Sequence, residues 1–257
     1  MGIITAATIR LHGVPDSTAV AVCNFPSVAN AIDAATQVIQ CGIPVARLEF
    51  LDDVGIAACN AYSKLNLNES PTLFMEFHGT EQSVKEQAEL AADIASTNNS
   101  NHFNYADDPS ERKVLWTARH NAYYASIAFG DGSRGIISDV CVPISRLTEA
   151  IVKTKSLLSE KSPKSTIIGH VGDGNFHCML TVDDNDENQM KHIKSCIHSI
   201  NRLALEMDGT CTGEHGIGIG KRYLLEEEIG SSGFKLMKLI KSSLDPHNIL
   251  NPGKIFI

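Results

Sequence analysis

"IIGHVGDGNFHCML", residues 167–180, sets two histidines on either side of a Gly-Asp-Gly-Asn turn inside an otherwise apolar run. The run reads as two short antiparallel strands. A two-residue type I′ turn suits Asp173 and Gly174, because both central positions of that turn need positive φ. It pairs residue 172 with 175 and sets His170 directly opposite His177. Opposed residues point to one face of a sheet, with Cβ atoms about 4.5–5.5 Å apart, and the period of two brings Asn175 to that face beside His177. Two imidazoles so placed either sit at a sheet edge, satisfied by carbonyls or water, or reach together for one metal ion.

Outward from this hairpin, helices and strands take turns. Residues 27–43 carry an apolar stripe at helical spacing between a Ser start and a Gly stop, and residues 45–51 alternate as a strand. The same reading gives a strand at 71–79, helices at 81–97 and 110–129, a strand at 135–143, a helix at 144–161, strands at 165–170 and 175–183, and a helix at 187–209. The repeated order suggests two similar halves sharing a sheet. The expected class is α+β, a mainly antiparallel sheet with helices packed on one face.

Composition narrows the function classes. The 257 residues are 43% hydrophobic and 20% charged, which suits a folded globular protein rather than a disordered one. With 22 Lys+Arg against 30 Asp+Glu, a net charge of -8 and no basic run, nucleic acid is not an expected partner. A small anion held by local Arg or Lys remains compatible. No apolar stretch approaches the roughly 20 residues that span a bilayer, and the first residues do not read as a signal peptide. Seven cysteines without a C-x-x-C pair fit buried free thiols better than disulfides or a cysteine zinc site; Cys178 and Cys211 read as small apolar fillers.

A second stretch, "DGTCTGEHGIGIGKR" (208–222), has glycines at 209, 213, 216, 218 and 220 around the adjacent Glu214 and His215. So many glycines cost chain entropy and make sense where the backbone comes close to another group or adopts positive φ. The spacing is not a dinucleotide fingerprint, because the loop follows a helix and no βαβ unit surrounds it. It offers a carboxylate and an imidazole. Glu214 can complete a His/His/Glu set that leaves a coordination position open, with His215 free as a general base.

"GHVGDGNFH" (169–177), "GTCTGEHGIGIGKR" (209–222) and "LDPHNILNPGKIF" (244–256) resemble the C-terminal part of the FAD-linked oxidases related to vanillyl-alcohol oxidase. "PVARLEFLDD", "WTARHNAYY" and "DVCVPISRL" are most similar to its mitochondrial, cytochrome-linked D-lactate dehydrogenase branch. The resemblance implies that family's cap domain with ferredoxin-like halves, over residues 14–257, and FAD-dependent oxidation of a D-2-hydroxy acid. It implies His170, His177 and Glu214 as ligands of a divalent metal, Zn or Mn, and His215 as catalytic base. By the same resemblance Arg119 pairs with the substrate carboxylate and Asn175 touches the substrate. Ile3, Ile4, Thr5 and Asn251 match positions near the flavin. It further implies cytochrome c or a similar electron acceptor and a mitochondrial location. Read without the resemblance, an arginine within a helix is most often a solvated salt-bridge partner.

Two departures from the family shape the expectations. Members hold FAD mainly through an N-terminal domain with a glycine-rich pyrophosphate loop, and residues 1–13 resemble only the end of that domain. The chain is therefore expected to be a truncated copy, an incompletely read gene or one half of a split enzyme. It should not retain FAD unaided, and it should expose an apolar patch of Ile3, Ile4, Ile217, Ile219, Ile255 and Phe256 for a separate flavin domain or self-association. Relatives acting on 2-hydroxyglutarate carry a lysine where Ile137 stands, so a monocarboxylate such as lactate is the expected substrate. The alternatives are a 2-hydroxyglutarate- or glycolate-type relative, or an inactive fragment that binds metal or another subunit.

Overall fold

The computed structural model describes residues 3–130, 132 and 134–256. The first half runs β1 (Ser17–Asn24), α1 (Val28–Gln40), β2 (Val45–Leu51), α2 (Asp53–Ser63), β3 (Thr72–Gly79), α3 (Glu81–Thr97) and β4 (His102–Ala106). α4 (Pro109–Phe129) leads to the second half, which comprises β5 (Arg134–Ile137), β6 (Val140–Cys141), α5 (Leu147–Lys161), β7 (Thr166–His170), β8 (Asn175–Val182) and α6 (Glu187–Leu205). α7 (Arg222–Leu244) closes the chain, broken at Gly230, whose φ is 74°. The strands form one antiparallel sheet in the order β4-β1-β3-β2-β7-β8-β5, with β6 also on β8. Each half follows the same plan. In the second, the fourth strand is reduced to a single bridge between Cys141 and Thr210.

Alternation explains the layers. On β1, Ala19, Ala21 and Cys23 face a large core shared with α1, α3, α5 and α6, while Val20 and Val22 face a smaller one with α2 and α4. The α+β class and the antiparallel sheet match the sequence reading. The one-face arrangement holds for four helices, whereas α2 and α4 cover part of the opposite face. Because β1 is buried on both faces it shows no polar alternation, and the sequence reading passes over it. α2 carries little helical periodicity and β4 is a five-residue edge strand, so these too escape.

The opening hairpin forms with a different turn. Four residues, Val171 to Gly174, connect the strands; only Gly174 has positive φ (76°), and the Asp173 N–H donates to the His170 carbonyl at 3.0 Å. A Cβ at Gly174 would lie 2.3 Å from the Val142 carbonyl oxygen, so the turn is pressed against the next segment and glycine is required there. The register pairs His170 with Asn175 and Ile168 with His177. His170 is thus diagonal to His177, not opposite it. The register moves by two residues, which preserves the face each side chain points to, and the two rings still meet, centroids 5.4 Å apart.

The halves join along β2 and β7, where Phe50 pairs with Gly169 and Leu51 with Ile168. Asp52, 0% exposed, secures this seam. Its Oδ1 accepts the N–H groups of Gly55, capping α2, and of Ile167, while Oδ2 meets the Lys155 ammonium at 2.7 Å. Asp52→Ala removes the cap, a cross-seam bond and the partner of a largely buried cation. We expect it to lower the unfolding free energy by about 3–5 kcal/mol and Asp52→Asn by less, as read from denaturant midpoints.

Candidate active site

β7 delivers His170, β8 delivers Asn175 and His177, and the glycine-rich loop beyond α6 brings Glu214 and His215 over them. The Nε2 atoms of His177 and His170 lie 3.0 and 3.6 Å from Glu214 Oε1. Tetrahedral ligands about 2.0–2.1 Å from a zinc ion stand roughly 3.3 Å from one another; both separations from Glu214 are near that size, while His170 stands outside the group of potential ligand atoms that lie within 4.8 Å of one another. The His215 ring stacks on His177 at 5.0 Å, its Nε2 3.9 Å from the same oxygen.

Each histidine is oriented from behind. Nδ1 of His170 meets Glu49 Oε1 at 2.9 Å, and Nδ1 of His177 meets the Ser138 carbonyl at 3.2 Å. Donation through Nδ1 leaves Nε2 as the lone-pair donor. Glu49 also binds Arg119 Nη2 of α4 at 2.6 Å. Burial would raise the Glu49 carboxyl, but the His170 hydrogen bond and the Arg119 charge outweigh it and hold its pKa below the usual value. In return, hydrogen bonding to Glu49 raises His170. Burial lowers His177, which favours its neutral form.

The loop is held by Asp139, 0% exposed, in the link between β5 and β6. Its carboxylate accepts the N–H of Glu214 at 3.1 Å, the N–H of His215 at 2.8 Å and the Thr212 hydroxyl at 3.1 Å, and lies 3.4 Å from the Lys221 ammonium. Burial pushes the Asp139 carboxyl up, but the His215 N–H, the Lys221 charge and the Glu214 N–H outweigh it and keep its pKa below the usual range. Asp139, His177, Glu214 and His215 each place one ligand atom within 4.8 Å of the others. With its lone pairs engaged by this many donors, Asp139 serves as the loop's anchor rather than as an ion's ligand. Gly213 completes the fit, since a Cβ there would lie 2.6 Å from Asn175 Oδ1. That Oδ1 is buried without a partner, at the centre of the site.

The expected residues divide accordingly. His170, His177, Glu214, His215 and Asn175 come together. Arg119 reaches the group through Glu49, so its Nη2 is already engaged, while its buried Nε has no partner. Ile3, Ile4 and Thr5 lie in an exposed stretch without regular structure, and Asn251 in a C-terminal turn with φ 46°. Among the described residues no hydrogen bond ties any of these four to the histidines. The expected apolar patch is divided. Ile3, Ile4 and Ile219 are exposed, but the tail folds back, with the Ile255 N–H on the Gly218 carbonyl at 2.8 Å and Phe256 against Phe234. Glu49, Ser138, Asp139 and Lys221 are additions to the sequence reading. For Glu49 a signal was present, a single carboxylate in the apolar strand "VARLEFL".

This fold and site define the chain as a member of the FAD-linked oxidases: residues 14–255 match the family described as FAD linked oxidases, C-terminal domain. Among curated relatives, the probable mitochondrial D-lactate dehydrogenase of Danio rerio is 51% identical over 99% of this chain and 51% of its own length. The mitochondrial D-lactate dehydrogenase [cytochrome] of Arabidopsis thaliana is 45% identical over 99% of this chain and 45% of its own. The chain therefore spans about half the length of these relatives. Of solved structures, p-cresol methylhydroxylase with substrate bound superposes with a TM-score of 0.70 at 13% identity, over 94% of this chain and 53% of that one. That likeness is one of fold.

Two outcomes follow from the geometry. Asp139→Asn puts an amide donor among N–H groups and the Lys221 ammonium; amide exchange at Glu214 and His215 should quicken by about tenfold or more, since hydrogen bonds to a charged group are worth about 1.5–3 kcal/mol, with far-UV dichroism unchanged. His170 should titrate above its ordinary value of about 6.5. In the ion-free protein its contact with Glu49 contributes stability that is full below about pH 6.5 and is lost as pH rises through the raised folded-state value. Glu49→Gln should bring the His170 imidazole titration, followed by NMR, back toward the ordinary value.

Proposed function

We propose that this chain forms the substrate-side half of an FAD-dependent dehydrogenase that oxidises D-lactate, or a similar D-2-hydroxy acid, to the 2-oxo acid. The observation that carries the reading is the convergence of two back-oriented imidazole nitrogens on Glu214, with His215 stacked beside them. His170, His177 and Glu214 are the residues that would hold a divalent ion, Zn or Mn, since imidazole and carboxylate suit both. The ion, when bound, polarises the substrate's hydroxyl and FAD supplies the two-electron acceptor.

The remaining work falls to side chains of this chain. Nε2 of His215, part-exposed and not tied to a backbone carbonyl, is the atom that takes the hydroxyl proton. Asn175 Oδ1, buried and without a partner, is positioned to accept a hydrogen bond from substrate. Arg119 binds the substrate carboxylate directly only by sharing or giving up its contact with Glu49. Ile137 lies on the same sheet face as His177, opposite Met179. An apolar side chain there offers a second carboxylate nothing, which favours a monocarboxylate. The relatives' names support D-lactate as donor, a cytochrome as acceptor and a mitochondrial location. Ile3, Ile4, Thr5 and Asn251 are proposed to lie against the flavin.

The test is dye-linked oxidation of D-lactate by the complete FAD-containing enzyme. His215→Ala should cut turnover by about 10²–10⁴, the usual worth of a positioned general base, with bound metal unchanged. His177→Ala should lose the metal itself. Full turnover by the His215→Ala enzyme would remove His215 from its role.

A further inference from the structure

Asp139 pins the glycine-rich loop at both ends. It takes up the N–H groups of Glu214 and His215 and the Thr212 hydroxyl, and its carbonyl receives the Lys221 ammonium at 3.0 Å. The crest between these ends, residues 216–220, is held differently. Gly216 and Gly218 have φ of 77° and 52°, and a Cβ at 216, 218 or 220 would meet nothing within 4 Å. Close packing therefore does not fix the crest. One bond within it runs from the Lys221 N–H to the Ile217 carbonyl at 3.2 Å. Among the described residues, one hydrogen bond reaches it from elsewhere in the chain, the Ile255 N–H on the Gly218 carbonyl at 2.8 Å.

The C-terminal turn is arranged to present that N–H. Arg222 Nη1 donates to the Gly253 carbonyl at 3.1 Å, and the Asp245 carboxylate accepts the N–H groups of Ile249 and Leu250 at 2.9 and 2.8 Å. The Phe256 ring rests on Phe234, and its N–H returns to the Lys254 carbonyl at 2.6 Å across Ile255, whose φ is 61°. A three-residue turn with positive central φ is strained, and more so on a β-branched residue. Such strain persists where the surroundings over-determine it, and it gathers at clamps and switches.

We propose that the C-terminal turn is a latch on a lid. Ile255 holds the crest through Gly218, and Arg222 is the positioning residue that sets the latch through Gly253. The crest begins one residue after His215, so its movement opens or covers the approach to that ring. Its glycines supply the hinges, and the strain at Ile255 keeps the latch reversible. The consequence for substrate rests on the D-2-hydroxy acid reading; the latch itself does not.

The test is amide exchange of the full chain, followed residue by residue. Arg222→Met should quicken exchange at Ile255 and Lys221 by about fivefold, the worth of one ordinary hydrogen bond, and Arg222→Lys should restore most of the protection. Ile255→Gly keeps the N–H and relieves the strain, so exchange at Lys221 should slow by about tenfold. Glu214 and His215, pinned by Asp139, should exchange at one rate in all three variants. In the complete FAD-containing enzyme, Arg222→Met should raise KM for D-lactate by about fivefold with kcat nearly unchanged, the pattern of lost uniform binding. The same split in exchange from an enzyme silent on D-lactate would support the latch and count against the substrate alone. Quickening of Glu214 and His215 in step with Lys221 would make the loop a single unit and overturn the proposal. So would equal exchange at Lys221 in every variant.

Discussion

The site depends on one buried carboxylate. Asp139 ends the β5 segment without a place in the core, and its charge is tolerable there only because several donors surround it: two backbone N–H groups, a hydroxyl and an ammonium. A buried carboxylate deprived of such partners is strongly destabilising. The glycine-rich loop therefore has one low-energy seating, and that seating sends Glu214 and His215 over the histidines. Ser138, the preceding residue, fixes His177 through its carbonyl and binds the Cys178 N–H through its Oγ. One dipeptide thus aligns a strand of the site with its loop.

The seam between the halves makes a matching contribution from the other side. Asp52 follows Glu49 by three positions, just past the end of β2. Asp52 faces α2, α5 and β7 and fastens the two halves; Glu49 faces the site and joins Arg119 to His170. Any loosening of the junction moves the group that orients a histidine. Stability and site geometry share a strand, so substitutions along β2 cannot affect one alone.

Much of this was legible in the sequence. Elements with a clear period, such as β2 and α3, fall where alternation and helical spacing put them, and both histidines, Glu214 and His215 stand out by their setting. What the sequence hid follows from physical causes. β1 is buried on two faces and reads as an undifferentiated apolar run. The β7–β8 turn is chosen by its packing against Val142, a contact far along the chain, and not by local Asp-Gly preference. Asp139 and Glu49 act through partners about 75 and 70–121 positions away, and no local pattern reports such distances. The loop glycines also proved to have different tasks: Gly213 makes room for Asn175, whereas Gly216 and Gly218 adopt positive φ.

The diagonal placement of the histidines bears on how this hairpin can change over evolutionary time. His170 pairs with Asn175, and His177 stands two positions beyond Asn175 on β8, so both rings lie on one face through the pairing and not through the turn type. Residues gained or lost within the turn, with that pairing kept, leave both rings on the site's side of the sheet. A single residue inserted within β8, between Asn175 and His177, sends one ring to the opposite face. Length is therefore constrained within the strands and not in the turn, a rule imposed by pleat geometry on the gene before any chemistry is selected.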